Sequence, residues 1–359
     1  MKIRRREPKG TVERAIGLVV LVLLAVGPAV FNDYWVNTIL TQMLIFGIAA
    51  ASLIFLSAYG AMTSLAQTAL MGISAYLLGN MVTQGGAGGQ SKGLTLGWDP
   101  TLALILALVI TTAIGVAFGA VAARSFGIYF LMLTLTYGVI ANYFFGQVTQ
   151  FGGFSPIAGV DQYTPGFVGE IVGHPDKLYY IALGVALAVY GAIRYLIRTP
   201  FGLSLQGIRD DPVRMRSLGY YVPLHRALAF GFASFVAALA GVLFVWWQGQ
   251  IAPGNIGLAA TIELLVMAVI GGLTRIEGAW VGAFAFIVIN NYVRDVELPV
   301  IGGSFNTIIG LIFLVIVIVS PDGLMGIWDR LWRSLGGRGG GTPETASVTR
   351  QAAPEASTP

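Results

Sequence analysis

Apolar residues occupy this chain in blocks too long for a soluble fold. No charged residue occurs between Asp33 and Lys92, and none between Arg226 and Glu263. Each gap exceeds the ~20 residues a helix needs to cross a hydrocarbon core of about 30 Å. Runs such as Leu102-Ala-Leu-Ile-Leu-Ala-Leu-Val-Ile and Leu311-Ile-Phe-Leu-Val-Ile-Val-Ile-Val show no alternation of apolar and polar positions, which argues against a β-barrel. The pattern predicts an all-α, polytopic membrane protein of about ten transmembrane helices. The spans are expected at 15–32, 35–57, 66–83, 101–123, 127–146, 178–196, 227–247, 259–274, 278–293 and 304–320.

Charge then orients the spans. The basic start, Met1-Lys2-Ile3-Arg4-Arg5-Arg6, belongs in the cytoplasm by the positive-inside rule. Ten spans put both termini there, together with Arg124, the stretch from Arg194 to Arg226, Arg275, and Arg330, Arg333 and Arg338 of the tail. Asp161, Glu170, Asp176, Asp295 and Glu297 fall outside. Nine or eleven spans would place arginine-rich segments on opposite sides. The first apolar run has no clear small-residue cleavage site after it, so it reads as an uncleaved first span.

The expected organisation is a basic cytoplasmic N-terminus (1–14), a membrane domain (15–326) and a cytoplasmic tail (327–359). The tail is rich in Gly, Ala, Pro, Ser and Thr and buries too little to fold. An external loop at 147–177 is long and rich in Gly, Pro, Phe and Tyr. It either folds over the mouth of the protein, meets an external partner, or is a plain surface loop.

Composition narrows the chemistry. Mean hydropathy is +0.77 and only 11% of residues are charged. A sequence without cysteine has no disulfides, thiolate metal sites or thiol nucleophiles. His174 and His225 both fall in loops, so an intramembrane enzyme lacks its constellation. The pI near 9.3 comes from juxtamembrane Arg and Lys and speaks to orientation, not to nucleic acid. No Gly-x4-Gly-Lys-Ser/Thr phosphate loop occurs, and Gly88-Gly89-Gln90-Ser91 reads as an external linker. No metal or cofactor is expected in this chain.

The cytoplasmic loop at 197–225 stands out. Apolar Leu205, Ile208, Val213 and Leu218 alternate with Arg209, Arg214 and Arg216; Pro212 breaks the run and Gly219 stops it. Two short helices on the membrane face satisfy that pattern and would offer a partner an apolar knob with an arginine rim. The other reading is a basic loop that only obeys the positive-inside rule.

The pattern Gly202-x2-Leu205-x2-Ile208-Arg209-Asp210-Asp211-Pro212, ending at Leu218-Gly219, resembles the coupling loop of the branched-chain amino acid permease family of ABC importers, the LivM-type subunits. Other segments agree in order: Ser64-Leu-Ala-Gln67-Thr-Ala-Leu-Met71-Gly72, Gly127-Ile-Tyr-Phe130-Leu-Met-Leu133-Thr134, Ile262-Glu263-Leu-Leu-Val-Met267 with Gly271-Gly272, and Pro321-Asp322-Gly323-Leu324-Met325-Gly326. The likeness covers about residues 35 to 326. One departure is Val213-Arg214-Met215-Arg216, where the family commonly has an alanine-rich stretch.

The resemblance implies a permease subunit in the bacterial or archaeal cytoplasmic membrane that forms part of an inward pathway for a small amino-acid-like solute, by default a branched-chain amino acid. It implies two ATPase subunits that bind ATP and magnesium and dock on residues 200–219, a second homologous permease and an external solute-binding protein. Pathway candidates are small or polar residues within the spans: Thr63, Ser64, Gln67 and Thr68; Thr134, Thr136 and Asn142; Asn290 and Asn291. Bonds between helices are the alternative role for each. Glu263 is the one acidic residue placed inside a span. It either acts electrostatically in the pathway or anchors a helix start. A secondary transporter driven by an ion gradient is the rival function.

Overall fold

The computed structural model describes residues 34–83, 93–166 and 168–293, with Gly17, residues 22–28, Asn32, Gly310, Leu314 and residues 323–326 besides. The expected N-terminal segment, tenth span, tail, Gly88–Ser91 linker and the loop with Asp295 and Glu297 lie wholly or almost wholly outside the described residues, as does most of the first span.

The other eight expected spans are helices. We label them α1 (Thr41–Gly60, with a π-helical lead-in at Trp35–Leu40), α2 (Gln67–Val82), α3 (Pro100–Ala122), α4 (Ile128–Gln147) and α5 (Pro175–Leu196). Two short helices follow, α6 (Pro200–Asp210) and α7 (Pro212–Ser217). The last three are α8 (Val222–Gln248), α9 (Leu258–Gly271) and α10 (Gly278–Val293). Asp99 caps α3, and the Thr101 N–H it accepts at 2.8 Å holds its carboxyl below the usual carboxylate range.

Helix α8 is the hub and packs against α1, α2 and α3. Its neighbour α2 is buried at every position but Leu77. The face that α3 buries is a stripe of small residues, Ala103, Ala107, Thr111, Gly115, Gly119 and Ala122, which lets α8 approach its backbone. Its large side chains, Leu102, Ile105 and Val109, are exposed, as lipid-facing residues must be.

Among the described residues, five helical stretches are long and apolar enough to span a membrane: Trp35–Gly60, α3, α4, α5 and α8. By contrast α2 and α9 have 16 and 14 residues and fall short of the ~20 that a full crossing takes. Backbone outside the α-helices makes up part of the difference for α2 and α9. Residues 61–66 reach Thr134, which is six residues, or about 9 Å, along α4. From the other end, residues 250–257 descend until Ile256 rests against Gly72, near the middle of α2.

Two ends result. At one, the turns after α1, α3, α5 and α9 converge, and among the described residues every arginine lies there: Arg124, Arg194, Arg198, Arg209, Arg214, Arg216, Arg226 and Arg275. At the other, residues 148–174 fold over the ends of α2 and α8. Ile157–Ala158 and Gln250–Ile251 form a two-stranded antiparallel pair, and Gly159 and Val160 donate to the Gly249 carbonyl at 2.9 and 3.2 Å. Asp99, Asp161, Glu170 and Asp176 belong to this end.

Candidate coupling surface and broken-helix seam

Two caps build the loop at the arginine end. Thr199 precedes Pro200, and its hydroxyl accepts from the Gly202 N–H at 3.3 Å to start α6. Asp211 precedes Pro212 and accepts from Val213 and Arg214 N–H at 3.0 and 2.9 Å to start α7. Gly202 lies so close to the Leu196 carbonyl and to Ile197 that a β-carbon there would collide with backbone. Gly219 follows α7 at φ +89°, a conformation that side-chain-bearing residues avoid. The expected pair of short helices is therefore present, broken at Pro212 and stopped at Gly219.

Their faces differ from expectation in one respect. Leu205 and Ile208, at 0% and 3% exposure, pack into the chain itself and belong to no outward knob. Their i, i+3 spacing marks an apolar stripe, but a stripe does not say which neighbour it meets. The outward surface is formed by Val213 and Leu218, 69% and 66% exposed, with Arg214, Arg216 and exposed Asp211 around them. Asp210 is exposed too and pairs with Arg209 at 2.8 Å.

Arg209 also reaches inward. Its Nη1 donates to the Ala58 carbonyl at 2.7 Å, in the last turn of α1, and Leu205 lies beside Gly60. Beyond Gly60 the chain turns at Ala61, whose φ of +50° is left-handed, and runs as residues 61–66 into the bundle.

Several sequence-nominated pathway residues meet there as a buried network. Ser52 donates to Gln67 Oε1 at 3.0 Å, Gln67 Nε2 to Ser64 Oγ at 3.4 Å, and the Leu65 N–H to Thr134 Oγ1 at 3.1 Å. Ser52, Ser64, Gln67 and Thr134 are all fully buried. Thr68 is buried as well, and its hydroxyl has no partner among the described residues. Thr136 is exposed on α4 and bonds to its own helix at the Met132 carbonyl. Thr63, Asn142, Asn290 and Asn291 are half-buried, Asn291 donating to the Ile287 carbonyl. Glu263 is exposed on α9 beside Leu258 and Ile262, with no hydrogen bond or ion pair among the described residues.

Sequence reasoning missed Ser52 and Arg226. Ser52 lies in an unbroken apolar run, and nothing local marks its partner. Arg226 is 3% exposed; it donates to the Ala123 and Ser125 carbonyls and lies 4.3 Å over the Phe126 ring. Its place as the last charge before a long charge-free run was the available signal.

Residues 36–320 match the family described as "Branched-chain amino acid transport system / permease component". The chain belongs to that family. Among its relatives, the high-affinity branched-chain amino acid transport system permease protein LivM of Salmonella typhimurium is 25% identical over 248 residues, covering 62% of this chain and 56% of that protein. The probable branched-chain amino acid transport permease protein LivH of Methanocaldococcus jannaschii is 25% identical over 171 residues, 46% of this chain and 54% of the relative. The autoinducer 2 import system permease protein LsrC of Photorhabdus laumondii is 30% identical over 129 residues, 34% of this chain and 38% of the relative. The chain spans about half the length of the curated LivM and LivH relatives it matches. No solved structure matches it. As a member of this permease family with several apolar helices, it is a multi-pass protein of the cytoplasmic membrane.

Proposed function

We propose that the chain is a permease subunit of a binding-protein-dependent ABC importer and forms half of an inward pathway for a small amino-acid-like solute. One observation carries the reading: the end that gathers the arginines also presents α6 and α7, with Val213, Arg214, Arg216 and Leu218 turned outward. Apolar residues ringed by cations suit insertion into a groove on a cytoplasmic partner. Two ATPase subunits, which bind ATP and magnesium, supply the energy. An external binding protein delivers the solute. The default solute is a branched-chain amino acid, after the names of several relatives; others are named for autoinducer 2.

The second half of the pathway comes from a homologous permease that covers α9. Glu263 supports this placement, because a carboxylate facing lipid costs several kcal/mol and calls for a protein or water-filled surface opposite.

Two measurements test the proposal. The chain has no native cysteine, so a cysteine placed at Leu218 can be labelled selectively in sealed cells. Labelling by an impermeant reagent from outside would overturn the reading. Deleting the partner ATPase should abolish solute uptake, and uptake that persists on an ion gradient would instead establish a secondary transporter.

A further inference from the structure

Resting on the importer reading above, we infer that Arg209 and Thr134 are positioning residues that transmit the motion of the coupling helix through the unwound segment 61–66 to α4. The contacts form one unbroken series. Arg209 on α6 holds the Ala58 carbonyl at 2.7 Å, and Leu205 lies beside Gly60. Segment 61–66 leaves that same turn of α1. At its far end the Leu65 N–H donates to Thr134 Oγ1 at 3.1 Å, on α4.

Physical chemistry makes each joint firm and the segment between them able to bend. The carbonyls in the last turn of a helix lack intrahelical donors and carry its negative dipole end, so a guanidinium there is a strong, directional grip. Arg209 also pairs with exposed Asp210 at 2.8 Å. Helices resist bending, whereas the non-helical stretch between α1 and α2 can absorb rotation in its φ and ψ angles. The inner joint is braced by the buried set Ser52, Gln67 and Ser64, which keeps the start of α2 seated while the segment turns. Helix α4 is the natural recipient: beyond its contacts with α2, α3, α9 and residues 149–151 and 253–256, and the Phe130–Phe230 ring pair with α8, it presents an exposed face with Tyr129, Met132, Ile140 and Tyr143.

This assigns Arg209 a role opposite to that of Arg214. Arg214 faces a partner; Arg209 works inward.

The test uses the assembled transporter, wild type against Arg209→Gln and Thr134→Val, reconstituted in liposomes with leucine as the solute. Three readouts are taken: ATPase subunits retained on purification, ATP hydrolysed, and leucine moved per ATP. Both variants should retain the ATPase subunits and hydrolysis, while leucine moved per ATP falls about tenfold, the size of a typical coupling energy. Thr134→Ser, which keeps the hydroxyl, should restore the ratio. Thr134 lies inside the bundle, away from α7, so its variant does not disturb docking. An unchanged ratio in Thr134→Val overturns the proposal, and so does loss of the ATPase subunits in Arg209→Gln, which would make Arg209 a docking contact. A wild-type chain that binds no ATPase would overturn the importer reading itself, and that result appears before any variant is compared.

Discussion

Arg194 Nη2 lies 2.6 Å from Glu277 Oε1, and the Tyr190 hydroxyl donates to the same oxygen at 2.8 Å. The last two turns of α5 thereby hold the turn between α9 and α10. The two side chains are 44% and 35% exposed, so solvent screens much of the attraction. Replacing Glu277 by Gln should lower stability by about 0.5–1 kcal/mol, with the loss shrinking at high salt. Thermal unfolding of the purified protein at two ionic strengths checks this, and an unchanged midpoint in low salt would show that the pair contributes nothing.

Arg226 makes a stronger prediction. Its buried guanidinium satisfies the carbonyls of Ala123 and Ser125 and stacks on Phe126. Arg226→Met keeps the length of the side chain but leaves those carbonyls without their donor. The expected cost is about 2–4 kcal/mol, read as a lower unfolding midpoint and reduced yield in the membrane.

At Gly202 the constraint is contact. Valine would drive its β-carbon into the Leu196 carbonyl, so α6 must shift at its first turn. We expect a loss of about 1–3 kcal/mol together with weaker retention of the ATPase subunit. Retention at the wild-type level would mean that the start of α6 does not position the coupling surface.

Charge reversal separates the outward arginine from the inward one. Arg214→Glu should reduce association with the ATPase by about tenfold, more at low salt than at high salt. Co-purification at several ionic strengths is the measurement. Association that does not change with salt would exclude an electrostatic contact at Arg214.

Gly219 closes α7 in a left-handed conformation, which costs a β-branched residue about 1–2 kcal/mol. Gly219→Val should therefore displace the end of α7 and uncouple hydrolysis from transport. Equal solute movement per ATP in the variant would refute that role.

Much of the fold was legible in the residue order because the signals are local. A run such as Leu102 to Ile110 is a helix in lipid wherever it occurs, since each backbone group must be satisfied within the segment. Pro212 announced the break between two short helices, and Gly219 a stop, for equally local reasons. The direction of Leu205 and Ile208 was not legible, because an apolar stripe meets a partner protein or the chain's own core with the same spacing. The hydroxyls of Ser64 and Thr134 were read as pathway candidates; Ser64 bonds Gln67 and Thr134 bonds the Leu65 N–H, partners that only the packing of α1, α2 and α4 around segment 61–66 reveals.

Hydrophobic run length and the placement of arginine were enough, by themselves, to define a helical membrane protein, and among the described residues its arginines gather at one end. Desolvation of backbone and charge acts on each residue whatever its distant neighbours. Tertiary structure alone decided which polar groups face each other. It buried Gln67 against Ser52 and Ser64, turned Arg209 toward the end of α1, and left Glu263 on an outer face of α9. Those outcomes depend on how helices remote in sequence pack, and packing is set by the shapes of all the contacting faces together.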